Sequence, residues 1–552
     1  MKSRETQVRR SAIWAAYGDA LGFITELADA DRVAYRAGRS HVETTVAWRR
    51  KVGGRAGATL DFPAGVYSDD TQLRLATCRA IRSDGSFDVA AFAKVELTAW
   101  ANYALGAGTG SKEAAANLAR TSATWYSNLF QSKRASYFMG GGNGAAMRVQ
   151  PHVWVAPKLS DLDAIFRDVL RNALCTHGHP RGFVGACFHA ATLAFTMHDG
   201  RPPSLASCEK LVDQLRAIPS VIDRDGDLRL FWLSSWENES HARLESVLDE
   251  TIQELHDDLA KLRQIAGDDL ASMYLRSVVA LEADTDHARG SGTKTALLAA
   301  FLAQLSPQSD PRLILGIAAN CLGSDTDSIA TMAGALIGAT TTFDCSETVQ
   351  DRDYIDQESQ RLAAIVDGRP ATSFRYPDLR SWKPARAAVD AVVEKEGLLR
   401  LNGIGTLKPV QSLSATKMSG ETLAWFELDF GQTILARVRD KPISLKQSKD
   451  GQEASGKVAM KSPSQPSNRL PDLFANRNSR DDRAAQNSAG NRHVPSLDQA
   501  LHRVLESGFD PAEVGKLLLM QVQSGREDFV ERGIALTATI LTAYEARQRK
   551  RR

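Results

Sequence analysis

Apolar residues recur at three- and four-residue spacing through most of the chain from Arg10 to about residue 370. This spacing places them on one face of a helix, and glycines and polar clusters separate successive stretches. Alternating patterns typical of strands are scarce here, so we predict an all-α body with its chemistry on the loops between helices. Examples of the predicted helical segments are Gln72–Ile81, Phe87–Tyr103, Leu162–Leu174, Ala186–Met197, Leu244–Ala266, Lys294–Leu305 and Ile329–Ile337.

The pattern changes after about residue 395. Residues 406–411, 422–430 and 433–439 are rich in Thr, Val, Leu, Ile and aromatic residues. The sequence Phe430-Gly431-Gln432-Thr433 is typical of a tight hairpin turn. We predict a small β module over 396–440, a size at which an independent fold is marginal.

Residues 441–496 lose almost all aromatic residues and fill with Ser, Lys, Asn, Gln, Pro and Arg. Such a segment buries too little apolar surface to offset its ordering entropy, which predicts a disordered linker. Helical periodicity returns over 496–507, 511–523 and 527–547. We therefore expect a short helical C-terminal region at 497–552, ending in a basic tail.

Composition and charge refine this division. Of the 552 residues, 43% are apolar and 24% charged, which excludes a wholly disordered or fibrous chain. The net charge of +2 conceals a split, because residues 1–375 carry 40 Lys and Arg against 45 Asp and Glu, while 376–552 carry 28 against 21. The basic tail could touch nucleic acid or an acidic partner, but aromatic residues that could stack on bases are sparse there. We favour a solvated helix end, do not expect nucleic-acid binding, and assign no partner to the C-terminal region.

The cysteines and the hydropathy bear on location. The six cysteines lie far apart without a CxxC pair, which argues against a zinc knuckle and against a disulfide-dense secreted scaffold. No window offers about 18 uncharged apolar residues, so no membrane span or membrane partner is expected. We expect a cytoplasmic protein.

Two acidic clusters carry most of the candidate chemistry: Ser68-Asp69-Asp70-Thr71 and Gly323-Ser324-Asp325-Thr326-Asp327-Ser328. Each stands just before a predicted helix. Such residues can simply cap a helix, yet a cap needs one acidic residue, and adjacent carboxylates repel unless a cation or proton intervenes. Carboxylates and hydroxyls suit Mg²⁺, Mn²⁺ or Ca²⁺, and no His and Cys set suited to zinc is present. If the clusters meet, a two-metal site with ions about 3.5–4 Å apart becomes plausible.

These clusters belong to a series of motifs through which the chain resembles the ADP-ribosylglycohydrolases, the family that includes the dinitrogenase-reductase-activating glycohydrolases. Single motifs of this kind are modest signals, whereas several in one order are specific. In chain order they are Gly18-Asp19-Ala20-Leu21-Gly22 with Glu26 downstream, Ser68-Asp69-Asp70-Thr71-Gln72, Gly142-Asn143-Gly144-Ala145-Ala146-Met147-Arg148, Thr176-His177-Gly178-His179-Pro180, the weaker Gly290-Ser291-Gly292, and Gly323-Ser324-Asp325-Thr326-Asp327-Ser328.

The resemblance implies an all-α, ADP-ribosylglycohydrolase-like helical orthogonal bundle over residues 1–375, with two Mg²⁺ ions (Mn²⁺ in some members) at the bottom of a cleft. Ser68 and Ser328 stand where Thr is frequent, but they keep the coordinating hydroxyl. Ser324 stands where a second Gly is frequent, a change expected to affect only loop flexibility. By motif matching, the metal ligands would be Ser68, Asp69, Asp70, Asp325, Asp327 and Ser328.

The implied reaction is hydrolysis of the bond between C1″ of ADP-ribose and a protein side chain. Oxocarbenium character develops at C1″, so the enzyme must orient water and stabilise the leaving group. Metals can hold the ribose diol and lower the pKa of a bound water, and Asp70 or Glu26 could act as the catalytic acid/base group. The family links the equivalent of Glu26 to the metal site in some members and to a mobile gate; the alternative is a solvated helix carboxylate. Asp19 is assigned to fixing the first helix and loop.

The resemblance also implies substrate contacts. A glycine-rich loop that runs into a helix can present backbone amides to a diphosphate, although such loops are often plain turns. The loop would cradle the pyrophosphate and proximal ribose, with Arg148 packing behind it, while His177 would line the adenosine side and His179 would be structural. The predicted contacts are Gly140, Gly141, Gly142, Asn143, Gly144, Met147, His177, Ser291 and Gly292.

We therefore expect a metal-dependent hydrolase that removes ADP-ribose from modified protein side chains, with arginine the favoured acceptor. The alternative within enzymes is hydrolysis of serine-linked or O-acetyl-ADP-ribose, or of a free nucleotide-derived substrate. A non-catalytic ADP-ribose-binding module is the alternative class, which the four retained aspartates disfavour.

Overall fold

The computed structural model describes residues 3–52, 57–267, 269–305, 309–413, 415–418, 420–444, 497–523 and 529–549. The predicted linker at 441–496 lies outside the described residues except for its first four positions. The chain divides into two compact units, Met1–Gly451 and Gln452–Arg552. None of the described helices is long and apolar enough to cross a membrane.

The first unit is mainly helical, as predicted, and the helix Leu162–Leu174 has the predicted bounds. Its described α-helices are α1 (Arg4–Thr25), α2 (Ala30–Ala37), α3 (Asp69–Ala80), α4 (Val89–Ala91), α5 (Leu97–Tyr103), α6 (Thr109–Leu118), α7 (Gln150–Trp154), α8 (Leu162–Leu174), α9 (Pro180–Asp199), α10 (Leu205–Gln214), α11 (Ile218–Arg224), α12 (Ser234–Ser240), α13 (Leu244–Arg263), α14 (Leu270–Ala280), α15 (Gly292–Leu305), α16 (Pro311–Ala319), α17 (Thr326–Thr340) and α18 (Arg352–Val366). Short 3₁₀ segments are Ala146–Arg148, Leu215–Ala217 and Ala388–Ala391, and π-helical segments are Phe92–Glu96 and Leu228–Leu233.

Two elements differ from the sequence prediction. A β-hairpin of β1 (Trp48–Val52) and β2 (Ala58–Phe62) lies within the helical body, where no strand was predicted. The centre of β1 is Arg49-Arg50-Lys51, so that strand lacks apolar alternation, and the alternation of apolar and polar residues in β2 extends over only five residues. The predicted helix Phe87–Tyr103 is instead α4, a π-helical turn and α5, because the Leu97 amide bonds to the Phe92 carbonyl and widens the helix by one residue.

Helices α1 and α17 run antiparallel at very close range. A Cβ atom at Gly18 would lie 2.3 Å from the Ala330 carbonyl oxygen, and one at Gly334 would lie 2.3 Å from that of Trp14. Glycine is therefore the residue that permits this backbone approach. The pairing brings the C-terminal end of α1 beside the N-terminal end of α17.

The predicted β module is a seven-stranded sheet that begins earlier than predicted. Its strands are β3 (Val392–Lys395), β4 (Leu398–Leu401), β5 (Gly405–Pro409), β6 (Thr416–Met418), β7 (Glu421–Leu428), β8 (Thr433–Arg439) and β9 (Ile443–Ser444). The order is β6-β7-β5-β4-β3-β9, with β8 also paired to β7, and only the β3–β9 pair is parallel. The predicted hairpin is confirmed, with Gly431 at φ +99° in its turn.

The sheet packs on the helices within one hydrophobic core. A buried polar cluster crosses the contact: Arg79 of α3 donates to the Gln432 side chain at 2.7 Å and forms two hydrogen bonds to Glu96, at 2.8 and 2.7 Å. The Tyr376 hydroxyl donates to Glu96 at 2.6 Å. The sheet and the helical body therefore share a buried polar cluster as well as apolar surface.

The second unit contains three described helices, α19 (Leu497–Glu506), α20 (Pro511–Gln523) and α21 (Phe529–Arg549). They close on a small core of Ala500, Val504, Leu517, Leu536 and Ile540. The prediction of three C-terminal helical pieces is thus confirmed.

Candidate active site

The two acidic clusters begin helices α3 and α17. Ser68 is the N-cap of α3, and its hydroxyl accepts the Asp70 amide at 3.2 Å. Asp325 occupies the N-cap position of α17, yet its carboxylate makes no capping bond to a described amide. Capping thus accounts for Ser68 but not for Asp325, while Asp327 accepts the Ser328 amide at 2.9 Å in the first turn of α17.

The fold brings both clusters to one cleft of about 660 Å³. Although more than 250 residues of sequence lie between them, they meet because α1, α3 and α17 pack together. Ser68 is fully buried behind the wall, so its place as a metal ligand stays a prediction. The members that line the cleft are Glu26, Asp69, Asp70, Asp325, Asp327 and Ser328.

Asp19 lies completely buried behind the first cluster. Its two carboxylate oxygens accept the backbone amides of Ser68 and Thr71, each at 2.8 Å. Those amides belong to the first turn of α3, where donors lack helical partners. Asp19, on α1, thus fixes the loop that precedes α3 and the start of that helix.

The carboxylates of the cleft have little solvent exposure, so water does little to weaken their mutual repulsion. Burial raises the pKa of Asp69, Asp70 and Asp327 well above the usual range. Neighbouring carboxylates raise these pKa values further, chiefly Glu26 for Asp69 and Asp327, and Asp19 for Asp70. Such a cluster is stabilised by protons or by a bound cation.

The donor chemistry fits a hard divalent cation. The Asp70 Oδ2 atom is buried and has no hydrogen-bond partner among the described residues, which is costly unless another partner is supplied. Oxygen donors dominate the cluster, as Mg²⁺ and Mn²⁺ require. In the described part of the chain, however, no three His, Cys, Asp or Glu side chains are arranged so that they could hold a metal ion. The cation therefore stays a prediction that the donor set supports.

The glycine-rich loop lines the same cleft as the acidic clusters. Gly140 and Gly141 adopt positive φ angles of 92° and 57°, which favour glycine. The Asn143 amide donates to the Gly290 carbonyl at 2.8 Å, so it is already engaged within the protein. The Asn143 side chain instead donates to Asp325 Oδ2 at 2.9 Å, a link between loop and acidic cluster that the sequence did not predict.

Most of the predicted substrate contacts line the cleft, whereas one is buried between two helices. The cleft wall includes Gly140, Gly141, Gly142, Asn143, Gly144, Met147, His177 and Ser291. Gly292, predicted to touch substrate, is not on the wall: a Cβ there would lie 2.5 Å from the Arg181 carbonyl oxygen. Its small size serves the close packing of α15 on α9.

His177 lies against this loop. Its Nδ1 and the Thr176 hydroxyl are 2.7 Å apart, and burial lowers the pKa of His177 to about 3. It therefore faces the cleft as a neutral imidazole that can hydrogen-bond to a ligand. His179 caps α9 by accepting the Arg181 amide at 3.2 Å, in keeping with its predicted structural role.

Comparison with known proteins agrees with the motifs. Residues 2–368, more than half of the chain, match the family described as ADP-ribosylglycohydrolase. The chain belongs to the ADP-ribosylglycohydrolase family. A solved structure described as "ADP-ribosylglycohydrolase-related protein complex" is 17% identical, with a TM-score of 0.41, over 66% of this chain and 100% of that chain. The family match supports a glycosyl hydrolase that acts on ADP-ribosylated substrates and releases ADP-ribose.

Sequence reasoning missed one residue that lines the ADP-ribosylglycohydrolase cleft, Arg289, and two arginines that contact Glu26, Arg36 and Arg50. Arg50 of β1 donates to the Glu26 carboxylate at 2.7 Å, and Arg36 of α2 donates to the Glu26 carbonyl at 2.8 Å. Arg289 lines the cleft beside Gly290, and its buried Nε has no partner among the described residues. The position of Arg289 beside a glycine motif was a usable signal, whereas Arg50 lies in a hairpin without one.

Two further arginines are buried outside the lining of the cleft and partly neutralise the negative charge of its carboxylates. Arg74 is buried and donates to Thr331 at 2.8 Å and to Thr71 at 2.6 Å. Arg148, fully buried as predicted, donates to Asn172 at 2.8 Å. These cations lower the cost of holding several carboxylates in one cleft.

Proposed function

We propose that this chain is a metal-dependent hydrolase that removes ADP-ribose from modified protein side chains, with arginine the favoured acceptor. The observation that carries the proposal is the meeting of Asp69, Asp70, Asp325 and Asp327 in one cleft with the glycine-rich loop. The Asn143–Asp325 hydrogen bond joins the two halves of that site. A ligand with a diphosphate next to a ribose would span both halves.

The cofactor proposed is a pair of Mg²⁺ ions, or Mn²⁺. When bound, these cations would supply Lewis acidity at the ribose hydroxyls and at water. The unpartnered Asp70 Oδ2 supports their presence, since a buried carboxylate oxygen calls for a partner. The residues that would hold them are Ser68, Asp69, Asp70, Asp325, Asp327 and Ser328.

The chain's own groups supply orientation and proton transfer. In the proposed reaction the bond from C1″ to the acceptor nitrogen breaks, water adds to C1″, and a proton passes to the leaving guanidine. Glu26 lines the cleft, and burial raises its pKa above the usual range, as suits an acid/base group. His177, held neutral, would hydrogen-bond on the adenosine side.

The test is a linkage-resolved hydrolase assay with the full chain. We expect release of free ADP-ribose from ADP-ribosyl-arginine with Mg²⁺ and none with EDTA. Asp69→Ala and Asp325→Ala should abolish release, while Asp61→Ala, which removes an exposed carboxylate paired with Arg49, should not.

Other outcomes identify the alternatives. Release from serine-linked or O-acetyl-ADP-ribose only would replace arginine as the acceptor. Binding of ADP-ribose without release from any of the three would favour a non-catalytic binding module. Metal-independent release would contradict the proposed cofactor.

A further inference from the structure

The sheet β3–β9 follows the part of the chain that matches the family, yet it contacts the hairpin beside the candidate active site. Trp425 of β7 packs edge-to-face on Phe62 of β2, with ring centroids 5.6 Å apart. Both rings are almost completely buried, at 2% and 1% exposure. A perturbation at Trp425 therefore reaches the hairpin directly, because close-packed interiors transmit small shifts.

The aromatic contacts continue from the hairpin to α1. Phe62 packs on Trp48 of β1 at 5.0 Å, and Trp48 packs on Phe23 at 5.2 Å, both edge-to-face. Phe23 lies on the last turn of α1, three residues before Glu26. Four aromatic rings thus connect the sheet to the end of the helix that presents Glu26.

Arg50 joins this aromatic series to the Glu26 carboxylate. Its guanidinium lies 4.3 Å from the centre of the Phe23 ring and donates to Glu26 Oε2 at 2.7 Å. The two side chains are 17% and 11% exposed, so little water competes for this pair. A stacked guanidinium has few accessible orientations, and the carboxylate that it holds is correspondingly fixed.

The backbone after Glu26 makes such a restraint useful. Leu27 has a φ of 50°, in the left-handed region that a leucine rarely adopts, and it lines the same cleft. Arg36 binds the carbonyls of Ile24 and Glu26, at 2.9 and 2.8 Å. The turn that carries Glu26 is therefore held by two arginines from neighbouring elements.

We infer that Arg50 is a positioning residue for Glu26, and that the sheet β3–β9 acts on the active site through Trp425 and this arginine. The inference rests on the proposed function for its kinetic consequence. It assigns a role in the reaction to a sheet that lies beyond residues 2–368.

The kinetic test compares two adjacent arginines of β1 in the full chain, on whichever linkage the wild type hydrolyses. Arg50→Ala should lower kcat about 10-fold or more, as expected for a displaced acid/base group, with KM changed less than about threefold. Arg50→Lys should recover part of kcat, since it restores the positive charge without the planar guanidinium that stacks on Phe23. Arg49→Ala should leave kcat unchanged, because Arg49 is 63% exposed and pairs with Asp61.

The link to the sheet is tested by a double-mutant cycle. Trp425→Ala should lower kcat in the wild-type background and have little further effect in Arg50→Ala, since the connection is already broken. Trp425→Phe, which keeps a ring, should retain most of kcat. Equal effects of Trp425→Ala in both backgrounds, or a kcat of Arg50→Ala within about twofold of wild type, would overturn the inference.

A second readout does not depend on turnover. Hydrogen exchange of the backbone amides at residues 24–30 should rise in Arg50→Ala and in Trp425→Ala, and stay unchanged in Arg49→Ala. If the wild type hydrolyses none of the three linkages, the proposed function fails, and this exchange measurement still decides the positioning role. Unchanged exchange in Arg50→Ala would refute it whatever the activity.

Discussion

The buried Arg79–Glu96 pair is the sharpest test of how the sheet and the helical body depend on each other. Both side chains have no solvent exposure, and two hydrogen bonds of 2.8 and 2.7 Å join them. Arg79 also faces the rings of Phe374 and Phe430, at 5.9 and 5.2 Å. Every contact that holds this cation is therefore inside the protein.

The perturbation is Glu96→Gln, which keeps the side-chain shape and removes the charge. Breaking one partner of a buried ion pair costs about 3–5 kcal/mol, because the remaining ion is left uncompensated. The control is Asp61→Asn, which breaks the Arg49–Asp61 pair, whose side chains are 63% and 70% exposed. Exposed pairs contribute about 0–1 kcal/mol, so the two variants should differ severalfold.

The assay is urea denaturation of the full chain, followed by near-ultraviolet circular dichroism. Glu96→Gln should lower the midpoint strongly, and Asp61→Asn should leave it nearly unchanged. If Glu96→Gln lowers the free energy of unfolding by less than about 1 kcal/mol, the reasoning is refuted, since water or another group would then be compensating the charge of Arg79. Because Tyr376 also donates to Glu96, we expect the segment beyond residue 368 to exchange its amide hydrogens faster in this variant.

Three further predictions address the site and its support. Gly22→Ala, whose Cβ would lie 2.4 Å from the Thr326 carbonyl oxygen, should destabilise by about 1–3 kcal/mol in thermal unfolding and lower hydrolysis. Gly316→Ala, with no described atom within 4 Å of the added Cβ, should not, and destabilisation by both would contradict the packing argument. Asn143→Ala should lower kcat/KM about 10-fold by freeing the Asp325 carboxylate, and an unchanged value would remove Asn143 from the site. Burial lowers the pKa of His152 to about 4, so its stability contribution is present above about pH 6.5 and is lost, by roughly 3 kcal/mol, as pH falls to 4; His152→Gln should shift acid unfolding to lower pH.

Local patterns were sufficient for most helices. Leu162–Leu174 was predicted with its observed bounds, because its apolar residues repeat at helical spacing and Asp161 caps it. The hairpin at 48–62 was missed, since Arg49, Arg50 and Lys51 interrupt the apolar alternation of β1, and only the five residues of β2 alternate. Its strands are stabilised by aromatic contacts to distant residues, which local sequence does not display.

The candidate site likewise has a part that the sequence predicted and a part that it did not. Hydroxyls and paired carboxylates at two helix starts pointed to Asp69, Asp70, Asp325 and Asp327, because the residues of each cluster are neighbours in the sequence. The sequence could not show that Arg50 holds Glu26, or that Asn143 bonds to Asp325. Neither contact joins residues that are close in the chain.

Sequence alone determined the family, the helical class, the acidic clusters and the hairpin of the added sheet, since each depends on residue type and local spacing. Tertiary structure decided which clusters meet. The close approach of α1 and α17 at Gly18 and Gly334 brings Glu26 beside the second acidic cluster. Sheet and helices then share one core, because polar side chains and aromatic rings from both sides of residue 368 contact one another only in the folded chain.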